Sequence, residues 1–97
     1  MPLWNKSRML SYQDGYDMGD DPCCVRIGES DILVEYKDVD GSLRQYRGKM
    51  EGEGHFTLAC PEVNGKASLH MFKGSPFLEG FWRQSGSEGM WRIELRR

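Results

Sequence analysis

Short runs in which apolar and polar residues alternate recur along this chain from residue 23 onward. Alternation with a period of two places successive side chains on opposite faces of a β-strand, and turn residues separate the runs. The clearest runs are residues 23–28, 31–38, 43–50, 55–60, 66–73, 78–82 and 89–95. The pattern predicts an all-β fold of six to eight strands.

The segments between these runs are short and rich in turn residues. Asp40-Gly41 and Asn64-Gly65 are typical hairpin sequences, and Pro61 ends the run before it. Parallel strands would need long crossovers, and no amphipathic helical stripe of useful length is present. We therefore expect an antiparallel up-and-down meander, which strong twist curls toward a small closed barrel.

The last two strands carry the most distinctive pattern in the chain. Gly80-Phe81-Trp82 and Gly89-Met90-Trp91 each place a glycine two residues before a tryptophan, on the same face of its strand. This spacing predicts a hairpin in which small residues leave room for two indole rings.

The up-and-down order, the two Gly-x-Trp segments and Arg92 beside the last tryptophan resemble the calycin-type barrels, which include lipocalins, fatty-acid-binding proteins and avidins. The resemblance spans roughly residues 23–97. This chain is shorter than a lipocalin and carries Gly-x-Trp at its C-terminus, whereas lipocalins carry it on the first strand. The resemblance implies a reduced barrel whose interior holds a small apolar ligand, and it implies no catalytic residue.

The first 21 residues differ in composition from the rest and show no sustained period. Four acidic residues occur there without the order and terminal glutamate of a calcium loop: Asp14, Asp17, Asp20 and Asp21. We expect residues 1–21 to form an irregular, loosely held acidic arm and residues 22–97 to form a single all-β domain.

Charge and composition exclude several classes of protein. The net charge of this 97-residue chain is −2, so no basic excess is available to bind a phosphate backbone, and nucleic-acid binding is not expected. No apolar run has the length of a signal peptide or a membrane span. Three cysteines cannot all pair, which favours reduced thiols and a cytoplasmic location. Cys60 is expected to be a buried apolar residue, whereas the sequence assigns no role to Cys23 or Cys24.

Candidate chemistry is sparse. His55 and His70 lie on runs predicted to pair, so they are expected to approach each other or Cys60. The cysteines and histidines have no paired metal-ligand spacing, and Cys60 with one of the histidines is the only nucleophile and base combination present. We predict no metal site, no cofactor and no catalytic residue.

The predicted interior is bulky, which favours a filled core over a ligand cleft at one end. Its expected members are Tyr46, Met50, Phe56, Leu58, Leu78, Trp82, Trp91, Ile93 and Leu95. Glycines on inward faces, such as Gly48 and Gly80, favour some space.

Two functions follow from these patterns. The first is a non-enzymatic binding module for a small apolar or aromatic ligand in a barrel mouth or cleft, contacted by Tyr46, His70, Trp82, Trp91 and Arg92. The alternative is a protein-interaction or homodimerisation module that uses an apolar patch on the outer face or an edge strand, with Phe77, Phe81 and Met90 in the patch. An enzyme ranks third.

Overall fold

Eight antiparallel strands close into a barrel in a computed structural model that describes residues 3–13, 16–38 and 40–97. Each strand pairs with the next in sequence, and β1 also pairs with β8, which completes the closure. The strands are β1 (Leu3–Gln13), β2 (Tyr16–Ile27), β3 (Asp31–Lys37), β4 (Leu43–Gly52), β5 (His55–Cys60), β6 (Gly65–His70), β7 (Phe77–Gln84) and β8 (Ser87–Glu94). The predicted all-β meander and its closure are confirmed.

The hairpin connections carry the residues that their geometry requires. Asn64, just after a 3-10 turn over Pro61–Val63, has a φ of 50°, and its N–H donates to the Pro61 carbonyl. Ser85 and Gly86 both have positive φ values, 48° and 87°, as a two-residue turn matching the strand twist needs. These tight connections explain why neighbouring strands pair in sequence order.

The prediction of an irregular N-terminal arm is wrong. Residues 3–13 and 16–27 form β1 and β2, and the proposed boundary at residue 22 falls inside β2. Asp14, one of the four acidic residues assigned to the arm, lies outside the described residues. β1 pairs with both β2 and β8 and thereby closes the barrel. The barrel therefore includes a segment in which the alternation pattern predicted no strand.

Two features of β1 explain why the pattern was missed. Its register with β2 shifts between Trp4 and Ser7 and again between Ser11 and Tyr12, so bulges interrupt the period of two. The inward position at Ser7 is polar but fully buried. Its hydroxyl donates to the Trp4 carbonyl (3.0 Å) and accepts from the Arg96 N–H (3.0 Å), which satisfies the buried group and fastens the C-terminus to β1.

The core fills the middle of the barrel with side chains from every strand. Of the nine residues expected inside, seven are buried, while Met50 and Leu95 are half-buried and pack against the others. The remaining buried apolar residues are Met9, Cys23, Val25, Ile27, Ile32, Val34, Cys60, Ala67 and Leu69. Burial of Cys60 is confirmed.

The two Gly-x-Trp segments face each other across β7 and β8. Gly80 stands opposite Trp91, and Trp82 stands opposite Gly89. A Cβ on Gly89 would contact the Trp82 ring and overlap the Tyr12 carbonyl, which confirms that this glycine makes room for an indole. At Gly80 the close neighbour is instead the Ser68 backbone on β6, so this glycine permits the close approach of two strands.

Candidate functional site

One end of the barrel, which we call the aromatic end, is packed with four rings. Trp91 lies at its centre, with its ring centroid 5.0 Å from that of Tyr46 and 5.8 Å from that of Tyr36, both in edge-to-face orientation. Trp82 stacks beside Trp91 at 6.2 Å. All four side chains occupy inward positions, on β3, β4, β7 and β8. The pairing of β3 with β4 and of β7 with β8 brings them to the same end of the barrel.

A polar group inside the aromatic end orients both tyrosines. The Tyr46 hydroxyl donates to Gln84 Oε1 at 2.6 Å, and the Tyr36 hydroxyl approaches the same oxygen at 3.4 Å. Burial is the main cause that raises the pKa of both phenols well above the ordinary value. Tyr46 raises the pKa of Tyr36 further, whereas Cys60 and Asp38 raise the pKa of Tyr46. Both tyrosines are therefore neutral hydrogen-bond donors at neutral pH.

Space at the aromatic end is limited. A pocket of about 70 Å³ is lined by Met9, Ser11, Asp21, Tyr36, Lys37, Asp38, Trp82, Gln84 and Trp91. Pockets that bind drug-sized ligands enclose roughly 300–1,000 Å³. The aromatic end therefore has room only for a very small guest.

The opposite end, which we call the open mouth, is wider and more apolar. A cleft of about 590 Å³ is lined there by Ile27, Met50, Glu53, Gly54, Phe56, Met71, Phe72, Lys73 and Gly74. The Met71 N–H donates to the Gly54 carbonyl at 2.8 Å, so the connection after β6 is tied to the turn between β4 and β5. Gly54 has a φ of 69°, and a Cβ there would overlap the Met71 carbonyl.

The sequence predicted a ligand in a barrel mouth or cleft but did not identify the residues that line the open mouth. Met71 and Phe72 were assigned to the end of a strand, but β6 ends at His70 and both residues belong to the connection that borders the cleft. Phe72 is 83% exposed, an unusual position for a phenylalanine. The sequence feature that could have indicated this site is Phe72-Lys73-Gly74, in which an aromatic residue directly precedes residues typical of a turn.

The five predicted ligand contacts do not form one site. Tyr46, Trp82 and Trp91 meet at the aromatic end, whereas His70 and Arg92 project from the outer face of the barrel. Arg92 Nε lies 3.4 Å from Glu79 Oε2, and its guanidinium lies 4.1 Å from the Phe77 ring centroid. Arg92 is thus placed against outer-face partners and does not reach the rings inside.

The predicted interaction residues share the outer face of the last hairpin. Phe81 and Met90 stand opposite each other in the β7–β8 register, with 41% and 50% of their surfaces exposed. Phe77 is half-buried under Arg92, and the Arg83 guanidinium lies 5.7 Å from the Phe81 ring centroid. Because the described strands close into a barrel, each has a neighbour on both sides, and this patch rather than an edge strand is the available surface.

His55 and His70 are directly opposite in the β5–β6 register, as the predicted pairing required. Their Nδ1 atoms are 2.7 Å apart. Cys60 lies at the other end of β5, about 16 Å away at the usual rise per residue, so neither histidine can serve it as a base.

The cysteines are free thiols. Burial and the neighbouring Cys24 raise the pKa of Cys23 to about 12, and burial also raises the pKa of Cys24. Both directions disfavour the thiolate, which is the reactive form. Within the described part of the chain, no three histidine, cysteine, aspartate or glutamate side chains group closely enough to enclose a metal ion.

Comparison with known proteins adds no family to this description. The chain matches no protein-family model, no curated protein and no solved structure. Over residues 3–13, 16–38 and 40–97, no helix is long and apolar enough to span a membrane.

Proposed function

We propose that this protein is a non-enzymatic binding module that holds a small apolar or aromatic ligand in the open mouth of its barrel. The observation that carries the proposal is the cleft of about 590 Å³ lined by apolar side chains, among them the exposed Phe72. A phenylalanine left in water at the rim of an apolar cleft gains favourable burial when a guest covers it.

The sizes of the two ends support the open mouth over the aromatic end. The pocket beside Trp82 and Trp91 encloses about 70 Å³, and the bonded Tyr46 and Gln84 hold that end in one arrangement. Met50 and Met71 line the mouth instead, and unbranched methionine side chains adapt to guests of different shapes.

Charge at the mouth suggests how a guest would be oriented. Lys73 and Glu53 border an otherwise apolar cleft, so a ligand with an apolar body and one anionic tip suits it, the tip lying at Lys73. The calycin resemblance supports the same arrangement, since it implies a guest at one end of a small barrel. The free cysteines are in keeping with a reducing, cytoplasmic setting for this activity.

A fluorescence titration with 1-anilinonaphthalene-8-sulfonate tests the proposal, because this probe combines an aromatic body with an anionic group. Met71→Glu places a charge in the cleft and is expected to weaken probe binding at least about tenfold, the effect of losing roughly 1.4 kcal/mol of apolar contact. Phe81→Glu is the matched control, because it puts the same charge on the outer face. Equal affinities of the two variants and the parent would refute the proposal.

A second function is favoured by the exposed pair Phe81 and Met90. Two large apolar side chains adjacent on a solvent face, flanked by arginines, suit a protein-interaction surface, with a second copy of this chain as one partner. Sedimentation analysis of Phe81→Glu against Phe72→Glu distinguishes the two surfaces. If the parent sediments as an oligomer, only Phe81→Glu is expected to dissociate it; an oligomer unaffected by that change would argue against this surface.

A further inference from the structure

A pair of solvent-facing histidines lies on adjacent strands near the open mouth, outside the cleft itself. His55 on β5 and His70 on β6 are direct neighbours in the antiparallel register, and both side chains are exposed on the outer face. Their ring centroids are 4.3 Å apart, their planes are tilted by 50°, and their Nδ1 atoms are 2.7 Å apart.

We propose that His55 and His70 form a chelating site for a divalent transition-metal ion, with Cu²⁺ the best fit. Neutral imidazole nitrogen is a preferred ligand of copper, nickel and zinc. In the free protein one Nδ1 atom carries the proton shared with the other. On metal binding that proton moves to Nε2 of the same ring through solvent, so both Nδ1 lone pairs bind the ion and both rings remain neutral.

The separation of the nitrogens favours a tetragonal ion over a tetrahedral one. Two nitrogens about 2.0 Å from a metal and 2.7 Å apart subtend about 85° at the ion. Neighbouring ligands of a square-planar or tetragonal ion, as preferred by Cu²⁺ and Ni²⁺, are about 90° apart, whereas tetrahedral Zn²⁺ needs about 109° and a wider nitrogen separation.

The strand register holds the two ligands in place before any metal arrives. Both histidines belong to a regular part of the β5–β6 ladder, which continues through Phe56 with Leu69 and Thr57 with Ser68. Because the pair is separated by fifteen residues in the unfolded chain but is adjacent in the barrel, chelation favours the folded state.

The surroundings of the pair leave the remaining coordination positions to water. Glu79 stands opposite His70 in the β6–β7 register, and its carboxylate lies within 3.4 Å of Arg92. No third side chain of a metal-binding type completes a group there among the residues described. We therefore expect a two-nitrogen site that is open to solvent and that releases its metal readily.

Titration with Cu²⁺ at fixed neutral pH, followed by calorimetry and electron paramagnetic resonance, tests the site. The protein is used without an affinity tag. The Cys24→Ser variant serves as the parent, because Cys24 is the one cysteine that is not buried and whose thiol is therefore accessible to copper. We expect one ion per chain, a spectrum with coupling to two nitrogens, and a Tm raised by roughly 7 °C at metal tenfold above Kd.

Substitution of either ligand distinguishes a chelate from two separate histidines. His55→Gln and His70→Gln are each expected to weaken Cu²⁺ binding about 10- to 100-fold and to abolish the two-nitrogen spectrum. Glu79→Gln is the matched control on the next strand and is expected to keep both. Circular dichroism of each metal-free variant verifies that the barrel is intact.

Two results would overturn the proposal. One is a single substitution that leaves affinity and spectrum unchanged, since the ion would then bind elsewhere. The other is binding of Zn²⁺ tighter than binding of Ni²⁺, since that order requires the tetrahedral arrangement that the nitrogen separation disfavours.

Discussion

The two ends of this barrel are built from the same alternating strands, but side chains fill one end and leave a cleft at the other. At the aromatic end, four inward rings pack together around Trp91, and the hydroxyl of Tyr46 donates a hydrogen bond to Gln84. At the open mouth, Met50, Phe56 and Met71 line a cleft and Phe72 stands in solvent.

The difference lies in the side chains and not in the backbone pattern. Aromatic side chains that carry a hydrogen-bonding group can be buried at one end of the barrel only if a buried partner accepts their hydrogen bonds. This requirement favours one arrangement of the side chains there. Apolar side chains without polar atoms impose no such requirement, so no buried hydrogen bond fixes the side chains at the mouth in one arrangement. Stability is therefore expected to reside at the aromatic end and binding at the open mouth.

The substitution expected to change stability most is Trp91→Ala. Trp91 is buried and contacts three other rings, so its removal is expected to lower the free energy of unfolding by about 3–5 kcal/mol. Urea denaturation followed by circular dichroism measures the change. A loss below about 1 kcal/mol would mean that the aromatic end is not the main source of stability.

Alkaline pH tests the same end without a mutation. Burial raises the pKa of Tyr36 and Tyr46 in the folded state, while in the unfolded chain a tyrosine ionises near pH 10. The folded state thus holds these protons more tightly, so their contribution is complete below about pH 10 and is lost as the pH rises. From pH 10 to 11 we expect a loss of about 2 kcal/mol for the two together.

The control for this pH dependence is the Tyr36→Phe/Tyr46→Phe double variant. It lacks the two phenols whose pKa is raised by burial, so its unfolding free energy is expected to fall less steeply than that of the parent over the same interval. Parallel curves for the two proteins would show that other groups cause the alkaline loss.

Tyr46→Phe isolates the hydrogen bond from the packing. The change keeps the ring but leaves Gln84 Oε1 without its 2.6 Å donor, and we expect a loss of about 1–1.5 kcal/mol. Tyr36→Phe is the matched comparison, because its contact with the same oxygen is longer, 3.4 Å, and a loss below about 0.5 kcal/mol is expected. A reversed order in urea denaturation would contradict the assignment.

The smallest stability effect is expected at the mouth. Phe72 is exposed, so Phe72→Ala is expected to change the free energy of unfolding by less than about 0.5 kcal/mol. The same variant is expected to bind the anilinonaphthalene probe more weakly than the parent. A destabilisation comparable to that of Trp91→Ala would remove the contrast between the two ends.

The alternation of residues 31–38, 55–60 and the last hairpin was sufficient to predict the class of fold, because a period of two with short turns allows few arrangements other than an antiparallel meander. The pairing of His55 with His70 followed from the turn at Asn64-Gly65 for the same reason. These predictions depend on local geometry, which neighbouring residues in the chain determine.

Closure and the location of the cleft depended on contacts that are distant in sequence. β1 was not predicted because its bulges and its buried Ser7 disguise the alternation, and it is a strand only because β2 and β8 pair with it. Trp82 and Trp91 were correctly placed inside, yet their pocket is small because Tyr36 from β3 and Gln84 at the end of β7 also line it.

The sequence by itself determined the strands from residue 23 onward, their order and most of the core, since each of these follows from side-chain alternation and turn residues within a short stretch of chain. Only the tertiary structure decided which end is filled and which is open, and which outer-face side chains become neighbours. The physical reason is that packing density and ligand geometry depend on side chains that contact each other across the barrel. These side chains are far apart in the sequence, so local patterns do not predict their contacts.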